Sequence, residues 1–161
     1  YFVRQRCAPR VLQIAFEGAA AAHPPPDLLR LMQQGKPRAI VICPSNPFIS
    51  IDPILAVPGM RDLLRGSGAP VVAVSPIVGG QAVKGPTAKM MQELGLEISS
   101  ATVARHYDGL IDAYVADLAD ADDVAGLDVP VTLAATLMRS LEDRIALART
   151  VLAVADGLAA R

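Results

Sequence analysis

Five short apolar runs, separated by helical patterns, follow one another along this chain. They cover Val11 to Phe16, Ala39 to Cys43, Val71 to Val74, Ile111 to Ala116 and Val129 to Leu133. Short runs rich in β-branched residues and bounded by Pro, Gly, Ser or Asn are typical of strands buried on both faces. Their alternation with helices predicts an α/β fold: a doubly wound, mostly parallel sheet with helices on both faces (Rossmann-like).

The helical patterns between these runs have recognisable ends. They cover Asp27 to Gln33, Pro53 to Arg65 with an interruption at Pro58-Gly59, Thr87 to Leu94, Ala101 to Tyr107 and Glu142 to Leu158. Pro86 at the first helical position and Gly95 just past the end frame the third of these helices. Asp52 directly precedes Pro53, which predicts that its side chain caps the second helix.

Composition limits the possible functions. With 161 residues, 52% of them apolar, the chain is long enough to bury a core and has the size of one domain. Its 15 Lys and Arg nearly balance its 16 Asp and Glu, and only 4% of its residues are aromatic, so nucleic acid is not an expected partner. No apolar run reaches the length of a membrane span. Cys7 and Cys43 are too few for a disulfide scaffold, which favours a reducing, cytoplasmic location.

The first of two polar loops follows the second apolar run, from Pro44 to Ser50. It offers Ser45, Asn46 and Ser50 between prolines that fix the backbone. Because open α/β sheets bind ligands at the carboxyl ends of their strands, we expect these side chains at the mouth of the sheet. Compact donors near a helix start suit phosphate oxygens, since unpaired N–H groups favour an anion there. The alternative is that Ser and Asn only close a turn.

The second polar loop, Ser75 to Pro86, follows the next apolar run. Gly79 and Gly80 would let the backbone approach a ligand closely, and Lys84 supplies a positive charge just before Gly85 and a helix start. Together the two loops predict a cradle for a diphosphate, although the spacing matches neither the P-loop nor the dinucleotide fingerprint. As the alternative, Lys84 is a solvated surface lysine and the glycines only form turns.

Other polar residues are explained more simply by structure. Asp52 could bind magnesium, but its place before Pro53 favours an N-cap. His23 and His106 have no partner at the spacing of a metal site or a catalytic triad, so surface or packing roles are expected. The acidic segment from Asp117 to Asp123 lacks the glycine and the closing Glu of a calcium loop, and it predicts a solvated turn and helix start.

The two loops and their surroundings resemble the 2-phospho-L-lactate transferase family, which builds the deazaflavin coenzyme F-420. The resemblance is carried by Pro44-Ser-Asn-Pro47, Ser50-Ile-Asp-Pro-Ile-Leu55, Val74-Ser-Pro-Ile-Val-Gly-Gly80 and Val83-Lys-Gly-Pro86. Weaker matches at Tyr1-Phe-Val-Arg4, Phe16-Glu-Gly18 and Thr136-Leu-Met138 extend it over nearly the whole chain. We expect residues 1–161 to be the carboxyl-terminal part of a single transferase domain, with the amino-terminal part absent from this sequence.

The resemblance implies that a 2-phospholactyl or phosphoenolpyruvyl group passes from a guanosine-diphosphate-activated donor to the deazaflavin precursor FO, with release of GMP. Lys84 is then expected to act in catalysis by stabilising phosphate charge. Donor binding is expected at Ser45, Asn46, Ser50, Ser75, Gly79, Gly80 and Gly85. The resemblance also implies Mg²⁺ bound by residues of the absent part, a homodimer, and no turnover by these residues alone.

One departure and two alternatives accompany the resemblance. Asp52 stands where we expect the family to carry Gly, which places a carboxylate near the expected anion site. A competing function is that of a regulator of the gluconeogenesis-factor type, which is similar in fold and binds nucleotide sugars without transfer chemistry. Such regulators are expected to carry a Gly-Ser-Leu-Tyr-Thr-Ser type of segment where this chain has Ser45 to Ser50, so this loop favours the transferase. An unrelated doubly wound nucleotide-binding module is the third possibility.

Overall fold

A computed structural model describes residues 1–35, 37–83 and 85–160 of the chain. Within them, a parallel sheet is formed by β1 (Ile40–Ile42), β2 (Val71–Val74), β5 (Ala113–Asp117) and β6 (Val131–Ala134), in the order β1-β2-β5-β6. The short strands β3 (Ile77–Val78) and β4 (Gln81–Ala82) pair antiparallel in a separate hairpin. In the sheet, Val41 lies opposite Val72, and Tyr114 lies opposite Val131.

The four later apolar runs are confirmed as strands, with small shifts at their ends. All residues of β2 and β5 are buried, which explains why their sequences are continuously apolar and do not alternate. The two-residue strands of the hairpin were not predicted. They arise where the glycine turn after Val78 folds the second polar loop back on itself.

The predicted strand from Val11 to Phe16 is wrong. This segment belongs to none of the paired strands among the described residues. Val11 and Ile14 pack against the core instead, and the Val11 N–H donates to the Glu93 carboxylate over 2.9 Å. Two of its apolar residues thus contact the core without strand pairing, and apolar spacing alone does not distinguish these two cases.

Helices fill the connections between strands. They are α1 (Pro26–Gln34), α2 (Asp52–Leu55), α3 (Met60–Gly66), α4 (Thr87–Glu93), α5 (Ser100–His106), α6 (Ala121–Val124) and α7 (Leu141–Ala159). A π-helical segment (Pro47–Ile51) leads into α2, and 3₁₀ turns occupy Ala19–Ala21 and Leu118–Asp120. Across the described parts of the chain, none of the helices is both long and apolar enough to span a bilayer.

Both faces of the sheet are covered, which confirms the doubly wound, Rossmann-like prediction. One buried cluster joins a face of the sheet to α4 and α5 and includes Val71, Ala73, Tyr114, Ala116, Met90, Met91 and Val103. The second cluster joins the opposite face to α7 and includes Val72, Val74, Ala113, Val115, Leu147, Val151 and Ala155. Neighbouring residues of β2 and of β5 thus point into different cores.

The start of α7 fixes where the chain leaves the carboxyl edge of the sheet. Ser140 Oγ accepts the Asp143 N–H over 3.2 Å, and the Asp143 carboxylate accepts the Ser140 N–H over 2.9 Å. This reciprocal capping box satisfies N–H groups that a helix start otherwise leaves unpaired. The hydrogen bonds from the Ser140 and Arg139 N–H groups hold the pKa of Asp143 below its ordinary value.

Candidate functional site

A cavity of about 380 Å³ lies at the carboxyl edge of the parallel sheet. Its walls are the loops that follow β1, β2 and β6, with Phe2 at one side. The predicted site residues that line it are Ser45, Asn46, Ser50, Ser75 and Gly85. The two polar loops thus meet at one site, because the carboxyl ends of parallel strands share an edge of the sheet. The volume lies within the range of small-molecule pockets.

Asn46 holds the first loop in its helical turn. Its Oδ1 accepts the N–H groups of Phe48 and Ile49 over 2.9 and 3.3 Å, which caps the π-helical segment. Its Nδ2 donates to the Met90 sulfur of α4 over 3.4 Å. The side chain therefore joins the wall after β1 to the helix that follows the second loop, and both of its polar ends are used.

Ser45 and Ser50 are the predicted residues of this loop whose hydroxyls make no hydrogen bond to any residue that the structure describes. Their backbones are held: the Ser45 N–H donates to the Cys43 carbonyl over 2.7 Å, and the Ser50 N–H donates to the Asn46 carbonyl over 3.1 Å. Neither hydroxyl bonds to another residue in the ranges that the structure describes, and both residues line the cavity. These two hydroxyls can therefore donate to an anionic ligand.

Ser75 begins the second loop and is almost fully buried. Its Oγ accepts the Ile77 N–H over 3.1 Å and lies 2.8 Å from the Ser100 Oγ. The Tyr114 hydroxyl donates to the Ser100 carbonyl over 3.0 Å, and burial raises the pKa of Tyr114 to about 12. Ser75 therefore lines the cavity, but its hydroxyl is already part of a buried hydrogen-bond network with Ile77 and Ser100.

Gly79 and Gly80 lie outside the cavity lining, in the turn of the hairpin. Their φ angles of +58° and +70° explain why glycine occupies both positions. Their N–H groups donate to the Asp120 carboxylate over 3.0 and 2.7 Å. The structure therefore gives these two amides an internal partner and does not bring them to the cavity with Gly85.

Lys84, the predicted catalytic residue, lies outside the described residues. Its neighbours in the sequence, Val83 and Gly85, both line the cavity. Gly85, just before the start of α4, has a φ angle of +69°. Glycine is favoured at this position because it has no Cβ and adopts a positive φ without strain. The role of Lys84 stays a prediction from the sequence.

The third wall, Thr136 to Met138, follows β6 and was missed as part of the site. Asp117 anchors it, since its Oδ2 accepts the Thr136 N–H over 2.8 Å and lies 3.0 Å from the Thr136 hydroxyl. Burial opposes ionisation of Asp117, but hydrogen bonds from Thr136 and Ala119 outweigh it and hold its pKa below the ordinary value. This stabilisation is fully present above the unfolded-state pKa of about 3.9 and is lost as the pH falls through the lower folded value.

The solvated turn predicted for the acidic segment is wrong for two of its residues. Asp117 and Asp120 are buried, and backbone N–H groups bind both carboxylates. Asp122 and Asp123 are exposed at the start of α6, as expected. The first two wall segments follow the ends of predicted strands. The same rule would have located the third, because Thr136 lies three residues after the end of the last predicted strand, Leu133.

The predicted N-cap role of Asp52 is wrong, because Asn46 already caps the helical segment six residues earlier along the chain. The Asp52 carboxylate lies 2.8 Å from His106 Nε2, and the imidazole packs edge-on against Phe48. This pair ties α2 to α5, so the packing role expected of His106 is confirmed. Asp52 does not line the cavity, and its charge faces His106.

The described lining of the cavity is mixed, and it carries no ionisable side chain. Ser and Thr hydroxyls and the Asn46 amide lie there among Pro, Val, Ile, Leu, Met and Phe side chains, which make up the larger part of the lining. Nor do the described residues bring three Asp, Glu, His or Cys side chains together in a way that could hold a metal ion.

Comparison with known proteins agrees with the resemblance read from the loops. A phosphoenolpyruvate transferase of Streptomyces griseus is 37% identical over 160 residues, which cover 97% of this chain and 50% of that protein. A 2-phospho-L-lactate transferase of Methanosarcina mazei is 40% identical over 154 residues, with 94% and 50% covered. One of Methanocaldococcus jannaschii is 31% identical over 152 residues, with 94% and 48% covered.

The chain thus spans about half the length of the curated relatives it matches. Its assignment to their carboxyl-terminal part stays a prediction. The family profile described as 2-phospho-L-lactate transferase CofD matches residues 1–154, nearly the whole chain. On this match, the chain belongs to the 2-phospho-L-lactate transferase family.

Proposed function

We propose that the full-length protein transfers a 2-phospholactyl or phosphoenolpyruvyl group from a guanosine-diphosphate-activated donor to the deazaflavin precursor FO. In this reaction a hydroxyl oxygen of FO bonds to the phosphorus that carries the lactyl or enolpyruvyl group. The bond from that phosphorus to the bridging oxygen breaks, GMP leaves, and the hydroxyl proton is released. Relatives named for each of the two donors match this chain, so both donors remain candidates.

One observation carries the proposal: the loops after β1, β2 and β6 form a single cavity, lined by both polar and apolar residues, in a chain of this family. Phosphoryl transfer needs positioning and charge stabilisation more than a covalent nucleophile. We assign the cavity to the diphosphate of the donor. The hydroxyls of Ser45 and Ser50, which line the cavity, donate to it, and Gly85 lets the backbone approach it.

In this proposal Asn46 and Ser75 mainly shape the cavity wall and do not bind the donor through their polar atoms. Both line the cavity, but their polar atoms already bind other residues of the protein. Gly79 and Gly80 receive no donor contact, because their amides bind Asp120. Lys84 supplies the positive charge that the described lining lacks.

Magnesium remains part of the proposal, as a group that would neutralise phosphate charge when bound. As the family resemblance implies, its ligands would come from parts of the protein outside this sequence, together with the phosphates of the donor. The hydrogen bonds proposed for Ser45 and Ser50 and the charge proposed for Lys84 do not depend on that ion.

The full-length protein tests this function directly. Incubated with FO and guanosine-activated phospholactate or phosphoenolpyruvate, it is expected to release GMP only when FO is present. The measurement is chromatographic detection of GMP and of the phosphodiester product, with reactions lacking FO as the control. Binding of UDP-sugars without GMP release from either donor would contradict the transferase and favour the regulator.

A further inference from the structure

The carboxyl end of β5 carries two buried carboxylates that hold the cavity walls without lining the cavity. Asp117 is 8% exposed and Asp120 is 4% exposed. Because β5 lies between β2 and β6 in the sheet, its end faces both the loop after β2 and the loop after β6. Neither carboxylate is part of the lining. These residues instead bind the loops that form the cavity walls.

Asp120 binds the turn of the β3–β4 hairpin with both of its oxygens. Oδ2 accepts the Gly79 N–H over 3.0 Å, and Oδ1 accepts the Gly80 N–H over 2.7 Å. Two successive N–H groups from left-handed residues form a concave anion site, here filled by a carboxylate of the protein itself. Hydrogen bonds to an ionised acceptor are stronger than neutral ones, so the Asp120 carboxylate holds the hairpin turn strongly.

The anchored hairpin forms part of the cavity wall. Val78, directly before the turn, lines the cavity, and so does Val83, directly after β4. The hairpin itself has only two residues in each strand, and such a short ribbon is not stable without support. The Asp120 carboxylate is the charged group that supplies this support from the end of β5.

We propose that Asp120 is a positioning residue of the donor site, with Asp117 as its counterpart for the loop after β6. Its carboxylate holds the β3–β4 hairpin so that Val83 and Gly85 close the cavity around a diphosphate. This inference rests on the proposed function. It also explains how acidic residues can lie close to an anion site, since backbone N–H groups surround their charge and they do not line the cavity.

The test uses Asp120→Asn in the full-length protein. Asn retains one acceptor but turns an NH₂ group toward the second glycine N–H, so one hydrogen bond is lost and the other is no longer charge-assisted. We expect the Kd for GDP and the KM for the donor to rise about tenfold, as loss of one such bond predicts. The kcat at saturating donor should stay within about threefold, because Asp120 does not touch the reacting atoms. Amide exchange over residues 78–82 should become faster in the free protein.

Two further variants make the result specific. Asp122→Asn removes an exposed carboxylate two residues away and should change neither GDP binding nor exchange in the hairpin. Asp120→Glu retains two acceptor oxygens on a longer side chain and should recover part of the lost affinity. If Asp120→Asn does not fold, Asp120→Glu carries the test, with a smaller rise in Kd expected.

Two outcomes would overturn the inference, and a third would contradict only the proposed function. Unchanged GDP affinity together with unchanged exchange over residues 78–82 would show that Asp120 does not position the hairpin. A fall in kcat at constant KM would place Asp120 in the chemistry instead. A wild-type protein that binds GDP but releases no GMP would contradict the proposed transfer, while the comparison of GDP affinities would still decide the role of Asp120.

Discussion

Replacing Lys84 with alanine in the full-length protein is expected to lower the rate of GMP release by roughly tenfold to a thousandfold, the range seen when one electrostatic donor is removed from an active site. The described lining contains no ionisable side chain, and the neighbours of Lys84 in the sequence, Val83 and Gly85, belong to that lining. A lysine between them is the expected source of charge stabilisation for the phosphoryl oxygens. Initial rates at saturating donor and FO measure the effect.

Two control variants test whether charge is the cause. Lys84→Arg retains the positive charge and should recover part of the rate, although an arginine fork places its donors differently. Arg61→Ala removes an exposed cation from α3, remote from the cavity lining, and should leave the rate nearly unchanged. Near-wild-type turnover of Lys84→Ala would remove Lys84 from the site.

Changing Asn46 to aspartate is expected to weaken GDP binding by about tenfold to a hundredfold with little loss of stability. The Asp side chain keeps an acceptor for the N–H groups of Phe48 and Ile49, and a negative charge at a helix start is favourable. The same charge faces a cavity without ionisable groups in its described lining and repels phosphate through a medium of low effective dielectric. Calorimetric titration with GDP and thermal unfolding measure the two effects.

Asn46→Ala is the matched variant. It removes the cap and should destabilise the protein by about 1–2 kcal/mol, but it adds no charge. Its loss of GDP affinity should therefore be smaller than that of Asn46→Asp, despite the greater loss of stability. Equal affinities of the two variants would show that loop geometry, and not repulsion, governs binding at this position.

The central sheet and the meeting of two polar loops were predictable from the sequence. Runs such as Val71 to Val74 are short, β-branched and flanked by Pro or Ser, and this pattern occurs where a strand is buried on both faces. Once the sheet is parallel, the loops after neighbouring strands must share an edge. The meeting of the two loops therefore follows from strand order, but the choice of lining residues does not: Gly85 lines the cavity, whereas Gly79 and Gly80 of the same loop do not.

The contacts that shape the cavity were not predictable, because they join residues far apart in the sequence. Asp120 lies 40 residues after Gly80, and Asp52 lies 54 residues before His106. Glycine spacing shows that the backbone needs positive φ angles, but it does not show whether a ligand or a buried carboxylate accepts the N–H groups. For the same reason, the acidic residues after β5 could not be divided into buried anchors and solvated side chains.

The most direct test of a shared donor site is amide hydrogen exchange of the full-length protein with and without GDP. If the walls after β1 and β2 enclose one diphosphate, GDP should slow exchange both in residues 45–51, except Pro47, and in residues 83–88, except Pro86. Residues 60–66 of α3, away from the cavity, should exchange at the same rate in both samples. Protection of only one of the two loops would contradict the shared cavity as the site of donor binding.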